Sequence, residues 1–301
     1  MSIPNQMSAV GSYRSPLQVI RAYCELTKPK ILLMLAFTSF SAALVATHGS
    51  VDFAKLLFMF IGTALSSGGA AAINMWYDRD IDAVMERTQG RPIPRGMIDP
   101  EKAFRFGLLL GVLSFVVLYV LVNPLTAWLG LAGYIYYAVI YTVWLKRRTP
   151  QNIVIGGGAG AMPVLIGWAA VTGTLSLAPI LMFLIIFFWT PPHSWALALY
   201  KNAEYTKALV PMMPVVKGPR STKRQSVVYT VLLFATSIAL YFTHAVGALY
   251  LVIAVPMNVV FLYATIKMHQ EADDTFVWAK RTFFWSLVYI LVVFTAMMIG
   301  M

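Results

Sequence analysis

The chain has 301 residues, of which 59% are hydrophobic and only 12% charged, and its mean hydropathy is +0.72. A soluble domain carries about a quarter of its residues charged, so the composition excludes one and indicates an integral membrane protein, all-α because lipid leaves an open backbone without hydrogen-bond partners. A formal net charge of +11 raises nucleic-acid binding, which the placement of the charges argues against, and the lone cysteine, Cys24, excludes an internal disulfide.

Residues 1–25 lack the apolar core of a signal peptide, and their few basic residues do not make an organelle transit peptide. That favours a bacterial plasma membrane over a mitochondrial precursor. Residues 12–30 hold Arg14, Arg21, Glu25, Lys28 and Lys30 with Pro16 and Pro29. This pattern predicts a short amphipathic helix lying in the interface, so 1–30 is read as an N-terminal interfacial segment of one domain spanning 1–301. Apolar runs follow at about 31–47, 55–77, 103–122, 125–144, 152–171, 178–199, 227–245, 247–266 and 282–300. Each has roughly the 17–25 residues that cross a bilayer, which predicts nine transmembrane helices.

With nine spans, 22 of the 23 Lys and Arg residues fall on one face, Lys55 being the exception. The positive-inside rule makes that face cytoplasmic. The N-terminus is then cytoplasmic and the C-terminus periplasmic. The positive charge is spent on topology, with little left to call for nucleic acid. Eleven of the 12 acids share the same face, Asp52 apart. A transporter places polar groups near the midplane and opens to both sides; this asymmetry points to a one-sided active site.

The second run ends in Asn74-Met-Trp-Tyr-Asp78-Arg-Asp80-Ile-Asp82. Asn74, Asp78 and Asp82 are spaced i, i+4, i+8 and share one helical face, whereas Asp80 points elsewhere, toward solvent. Oxygen ligands so placed suit Mg²⁺, which completes its shell with water and phosphate. Arg87, Arg91 and Arg95 follow in one loop, and guanidinium forks match phosphate oxygens. The plainer alternative is that these acids and arginines pair with one another in the headgroup region.

After the fourth run come Lys146, Arg147 and Arg148, then Gly156-Gly-Gly-Ala-Gly160. Lys146 is a candidate diphosphate contact; Arg147 and Arg148 suit headgroup anchors equally well. No strand precedes the glycines and no Gly-Lys-Ser/Thr comes after them, so they are not a phosphate loop; they allow close helix packing or leave room for a ligand. The sixth run ends Trp189-Thr-Pro-Pro-His193, and Glu204 is the only acid in the loop beyond it. Pro191 and Pro192 bend or restart the helix, which is tolerated where a cavity is lined. His193 is open to four readings: a haem or metal ligand, an acid/base, a contact to a substrate carboxylate, or a structural residue. Glu204 either supplies a carboxylate to a second Mg²⁺ or pairs with Lys201 or Lys207.

These stretches resemble a known family. Asn74-x3-Asp78-x3-Asp82 is similar to the first acidic motif of the UbiA-type intramembrane prenyltransferases. Several segments resemble one branch of it, the protoheme IX farnesyltransferases (haem O synthases): Arg87-Thr88 with Arg91-Pro-Ile-Pro94 and Gly96, Thr149-Pro-Gln-Asn152 through Gly157, Ile166 through Gly173, Trp189 through Ala198, and Pro211-Met-Met-Pro-Val215. Many members carry a second Asp-x3-Asp motif where this chain has His193 and Glu204. The resemblance implies a helical bundle around a central cavity open to the cytoplasmic side. It implies transfer of farnesyl from farnesyl diphosphate to a vinyl group of haem b, giving haem O and diphosphate, with a downstream haem A synthase as a possible partner. It also implies Mg²⁺ on Asn74, Asp78, Asp82 and Glu204, diphosphate on Arg87, Arg91, Arg95 and Lys146, and haem at His193. Another ring acceptor such as a quinone precursor, a haem chaperone and a secondary transporter are the alternatives.

Overall fold

Capping side chains or prolines mark the starts of several helices, most of them in the N-terminal half. The computed structural model describes residues 15–301, so the first half of the predicted N-terminal segment lies outside the described residues. Ser15 and Gln18 form a reciprocal capping box on α1 (Pro16–Leu26). This helix is amphipathic: Leu17 and Ile20 are exposed, while Ala22 and Leu26 pack with Ala72, Met75, Ile93 and Ile98. Asp52, Asp99 and Asn123 accept backbone N–H groups at the starts of α3 (Phe53–Tyr77), α5 (Pro100–Leu121) and α6 (Pro124–Ile135). The first span, α2 (Pro29–Ala46), begins directly after Lys28, whose φ of 53° is left-handed. A residue before proline is disfavoured in the right-handed α region, and this break separates α1 from α2.

α3 ends at Tyr77. Asp78 bends the chain (φ −89°, ψ 9°) into the short α4 (Arg79–Val84). α6 passes without interruption into a ten-residue π-helix, Tyr136–Leu145. The remainder is α7 (Asn152–Thr172), α8 (Leu177–Tyr200), α9 (Asn202–Lys207), α10 (Met213–Tyr241), α11 (Ala248–Gln270) and α12 (Val277–Ile299). The fold is the expected all-α polytopic bundle. Among the described residues, eight helical segments are long and apolar enough to cross a membrane. The seventh predicted span, 227–245, falls mostly in the later part of α10, which starts much earlier than the apolar run because a polar, basic stretch with a kink at Gly218 (φ 76°) precedes it.

The helices close a ring. α3 packs on α5, α5 on α6, α6 on α7, α7 on α8, and α8 on both α10 and α12; α10, α11 and α12 pack together, and α2 lies along α7. The α2–α7 contact is close: a Cβ added at Gly167 would fall 2.0 Å from the carbonyl oxygen of Ser39. In the C-terminal half, Ser237, Tyr250, Asn258 and Tyr289 form a buried hydrogen-bonded network across α10, α11 and α12. Such polar pairs hold membrane helices together where no hydrophobic effect acts between them. Up-and-down connectivity puts the starts of α2, α7, α10 and α12 at the same end as the finishes of α3, the π-helix and α8. That shared end carries the site.

Candidate active site

The bend at Asp78 does not break the hydrogen-bond spacing. The Asp78 N–H donates to Asn74 O (2.9 Å) and the Asp82 N–H to Asp78 O (2.8 Å), so the i, i+4, i+8 relation survives the change of helix. Asn74, Asp78 and Asp82 are all buried, at 2%, 0% and 1% exposure. Buried charge needs partners, and each residue has them. Asn74 Nδ2 donates to Asp78 Oδ2 (2.7 Å) and to Thr142 Oγ1 (3.1 Å). Lys146 Nζ donates to the same Asp78 oxygen. Lys28 Nζ donates to Asn74 Oδ1 (2.8 Å) and to the Tyr137 hydroxyl (3.0 Å).

Lys28 enters this cluster as a residue the motif reading did not single out. Burial first, and then repulsion from Arg91, push its ammonium pKa down to about 7; Asp82 and Asp78 oppose that shift and Arg87 adds to it. All four charged neighbours therefore act on one lysine. The π-helix supplies the facing wall. Its wide turns are closed partly by Thr142 Oγ1 donating to Tyr137 O, five residues back (2.8 Å), and Tyr137 stacks on Tyr141 (5.6 Å, 11°). Insertions of this kind recur at functional sites because they re-aim side chains.

Asp82 pairs with Arg91, whose Nη1 lies 2.8 and 2.7 Å from its two oxygens. Arg147 takes both oxygens of Asp80 (2.7 and 2.6 Å) and rests on the Tyr77 ring. That hydrogen bonding, before anything else, draws the Asp80 pKa down to about 2. Asp80 is exposed, as its position off the motif face predicts. Arg95 pairs with Glu25 of α1, anchoring the loop rather than facing Asn74 or Asp78. Arg87 is exposed at the rim and acts electrostatically on both Lys28 and Tyr205. Glu204 receives Lys201 on Oε1 (2.6 Å), while its Oε2 is buried without a partner; it makes no hydrogen bond to the Asn74–Asp78–Asp82 group.

A cavity of about 480 Å³ opens beside this cluster, bordered by Lys28, Tyr137 and Tyr141 and also by Trp189, His193 and Ile290. The glycines of α7 do both things expected of them. A Cβ at Gly156 would strike the Tyr141 ring at 2.2 Å, whereas one at Gly160, on the cavity wall, would meet nothing within 4 Å. His193 sits within α8 with its ring between Trp189 (4.3 Å, 16°) and Phe283 (4.8 Å, 23°). One chamber thus borders both the histidine and Lys28, the lysine that is bonded to Asn74.

Could a divalent cation fit? Among the described residues no three His, Cys, Asp or Glu side chains gather as a metal cage. The donor set nonetheless suits Mg²⁺, which takes one or two carboxylates and leaves its other positions to water and phosphate. Asp78 Oδ1 is buried with no hydrogen bond among the described residues, and Arg147 lies 3.6 Å from it. Asn74 Oδ1 is held by a lysine that a harder cation can displace.

Taken together, the fold and site define a polytopic helical membrane protein whose apolar chamber is bordered by a lysine bonded to a buried carboxylate–amide cluster. The model of the UbiA prenyltransferase family matches residues 34–288, and the chain belongs to that family. It is 51% identical over 282 residues, covering 94% of each chain, to a protein of Symbiobacterium thermophilum named protoheme IX farnesyltransferase. It is 45% identical, covering 97% of each, to the protein of that name from Nitrosococcus oceani. The fold is similar to a solved structure of digeranylgeranylglyceryl phosphate synthase (TM-score 0.80, 19% identity, 94% of this chain and 98% of that one). It is also similar to a UbiA homologue from Archaeoglobus fulgidus bound to DMAPP and Mg²⁺ (TM-score 0.65, 16% identity, 91% and 98%). At that identity, the structural likeness speaks for the fold.

Proposed function

We propose that this enzyme transfers the farnesyl group of farnesyl diphosphate to a vinyl group of protohaem IX, giving haem O and diphosphate. The observation that carries the reading is the single chamber bordered at once by Lys28, hydrogen-bonded to Asn74, and by His193. Full-length relatives at 51% and 45% identity bear that activity in their names.

In this reading Lys28, Lys146 and Arg91 exchange their carboxylate and amide partners for the oxygens of the incoming diphosphate, with Arg87 at the rim and Arg95 fixing the loop. Asn74, Asp78 and Asp82 would hold Mg²⁺, and Glu204 would be a reserve carboxylate for a second ion. The bound cation supplies positive charge against the leaving group. The farnesyl C–O bond breaks, the electron pair leaves with diphosphate, and the fixed cations stabilise the charge that develops there. The haem vinyl group attacks the allylic cation, and water adds to the resulting cation with loss of a proton, completing a hydroxyethylfarnesyl group. The aromatic and aliphatic walls keep water from the allylic cation until the vinyl group is in place. Catalysis faces the cytoplasm of a bacterial inner membrane, with the N-terminus on that side and the C-terminus in the periplasm. Haem A synthase is the partner that would receive the product.

The test is product analysis by mass spectrometry after incubating the purified chain with Mg²⁺, farnesyl diphosphate and either protohaem or 4-hydroxybenzoate. Haem O is expected from the first mixture and no adduct from the second. Prenylation of the phenol alone would move the chain to quinone-precursor chemistry.

A further inference from the structure

One turn of α12 is built around the α8 histidine. Ser286 is fully buried. Its backbone oxygen accepts the Trp189 indole N–H (2.8 Å), its hydroxyl lies 2.6 Å from His193 Nδ1, and the ring of Phe283, three residues before it, stacks on the imidazole. The Ser286 hydroxyl also lies 2.6 Å from the carbonyl oxygen of Phe283.

A serine has one proton to place and a carbonyl can only accept. If that proton pointed at His193, the Ser286 and Phe283 oxygens would face each other lone pair to lone pair at 2.6 Å. One assignment satisfies all three atoms: the Ser286 hydroxyl donates to Phe283 O, and His193 Nδ1–H donates to Ser286 Oγ. The imidazole then carries its only other proton position, Nε2, as a bare lone pair. Nε2 makes no hydrogen bond to any described residue, and His193 borders the chamber. A neutral imidazole free in water favours the opposite tautomer, in which the protonated Nε2 has no lone pair to offer a metal and only Nδ1, here turned to Ser286, could ligate. Trp189 and Phe283 prevent the ring from turning out of this plane.

We propose that Ser286 is a positioning residue that fixes His193 as the Nδ1–H tautomer and so presents Nε2 as an axial ligand to the iron of the haem acceptor. This rests on the proposed haem chemistry and adds the device that makes His193 competent to bind iron. Partners on the non-ligating nitrogen set tautomer, orientation and basicity, and losing one typically costs about 10–100-fold in metal affinity.

The experiment is titration of the full-length chain with protohaem, recording the absorption and electron paramagnetic resonance spectra, for wild type, His193→Ala, Ser286→Ala, Ser286→Cys and Ser286→Thr. His193→Ala is expected to abolish the axial-imidazole signature. Ser286→Ala and Ser286→Cys are expected to weaken haem binding about tenfold and to populate a second, differently ligated species. Ser286→Thr keeps an acceptor oxygen and restores the wild-type spectrum. The cysteine variant has nearly the volume of serine with a weak acceptor, so it carries the test if the alanine variant melts early. An unchanged spectrum in both Ser286→Ala and Ser286→Cys, with His193→Ala altered, overturns the role of Ser286 and leaves the haem reading standing. An unchanged spectrum in His193→Ala overturns the ligand reading itself.

Discussion

Asp82 receives a single nitrogen of Arg91, Nη1, on both of its carboxylate oxygens, at 2.8 and 2.7 Å, with 2% of its own side chain exposed and 21% of the arginine's. The pair leaves the rest of the guanidinium uncommitted to Asp82. In the proposed reading the guanidinium that holds Asp82 in the resting fold turns to the diphosphate when substrate enters, and two substitutions separate the stability role from the binding role. Arg91→Ala strands a buried carboxylate and should lower unfolding stability by about 3 kcal/mol, read as a melting shift in detergent. Arg91→Lys can still reach both oxygens with its ammonium, so it should melt near wild type. It lacks the planar fork for phosphate, and its KM for farnesyl diphosphate should rise about tenfold. Equal KM values for wild type and Arg91→Lys would make the arginine purely structural.

Lys28 titrates across neutral pH. Its ammonium pKa falls from 10.5 in the open chain to about 7 in the fold. Between those values the unfolded chain holds a proton that the folded chain lacks, so this group makes stability rise with pH across the window. Below about 7 both states are protonated and the burial penalty is present in full. Lys28→Met should remove that slope: its melting temperature should gain most on wild type at the acid end, and the advantage should shrink from pH 7 to 10. Parallel melting curves for the two proteins over that range would refute the assignment.

Gly160 offers a way to fill the chamber without disturbing the bundle. A Cβ there meets nothing within 4 Å. Gly160→Leu should fold normally, keep the affinity for farnesyl diphosphate within about twofold, and cut prenyl transfer at least tenfold by occupying acceptor space, since an added side chain in a preformed pocket excludes ligand volume directly. Full turnover in that variant would place the acceptor elsewhere.

Gly167 is the contrasting case on the same helix. A Cβ there would fall 2.0 Å from Ser39 O, against backbone that cannot swing aside. Gly167→Ala should force α2 and α7 apart at a cost of about 1–3 kcal/mol, lowering the melting temperature, with activity lost in proportion to the folded fraction. A variant as stable as wild type would mean that the two helices are free to separate.

Much of this architecture can be read from residue order. The apolar runs locate the helices to within a few residues, and a buried Asn74–Asp78–Asp82 face is the consequence of a spacing of four. α10 is longer than its apolar run because, after the break at Gly218, Arg220, Lys223 and Arg224 lower the hydropathy without stopping the helix; Lys223 is buried and donates to the carbonyls of Glu271 and Ala272. Lys28 looks like one more basic residue near an interface, and only Pro29 after it hints that the backbone there is unusual. Arg147 reads as a headgroup anchor, yet it closes on Asp80 across 67 residues. Ser286 is invisible in an apolar stretch, since a serine can satisfy itself on its own helix. Each of these depends on which helices meet, and a one-dimensional pattern holds no record of that.

The wide turns of Tyr136–Leu145 make this segment sensitive to length rather than to chemistry. A π-helix fits about one more residue per turn than an α-helix. Excising one residue between Tyr137 and Tyr141 would let the segment slip to ordinary winding and swing the remainder of the helix by about 100°. Thr142 and Lys146 would turn away from Asn74 and Asp78 with every functional group still present. In the proposed reading a single-codon deletion here would cost activity as losing an aspartate would, and the hydropathy profile would scarcely register the change.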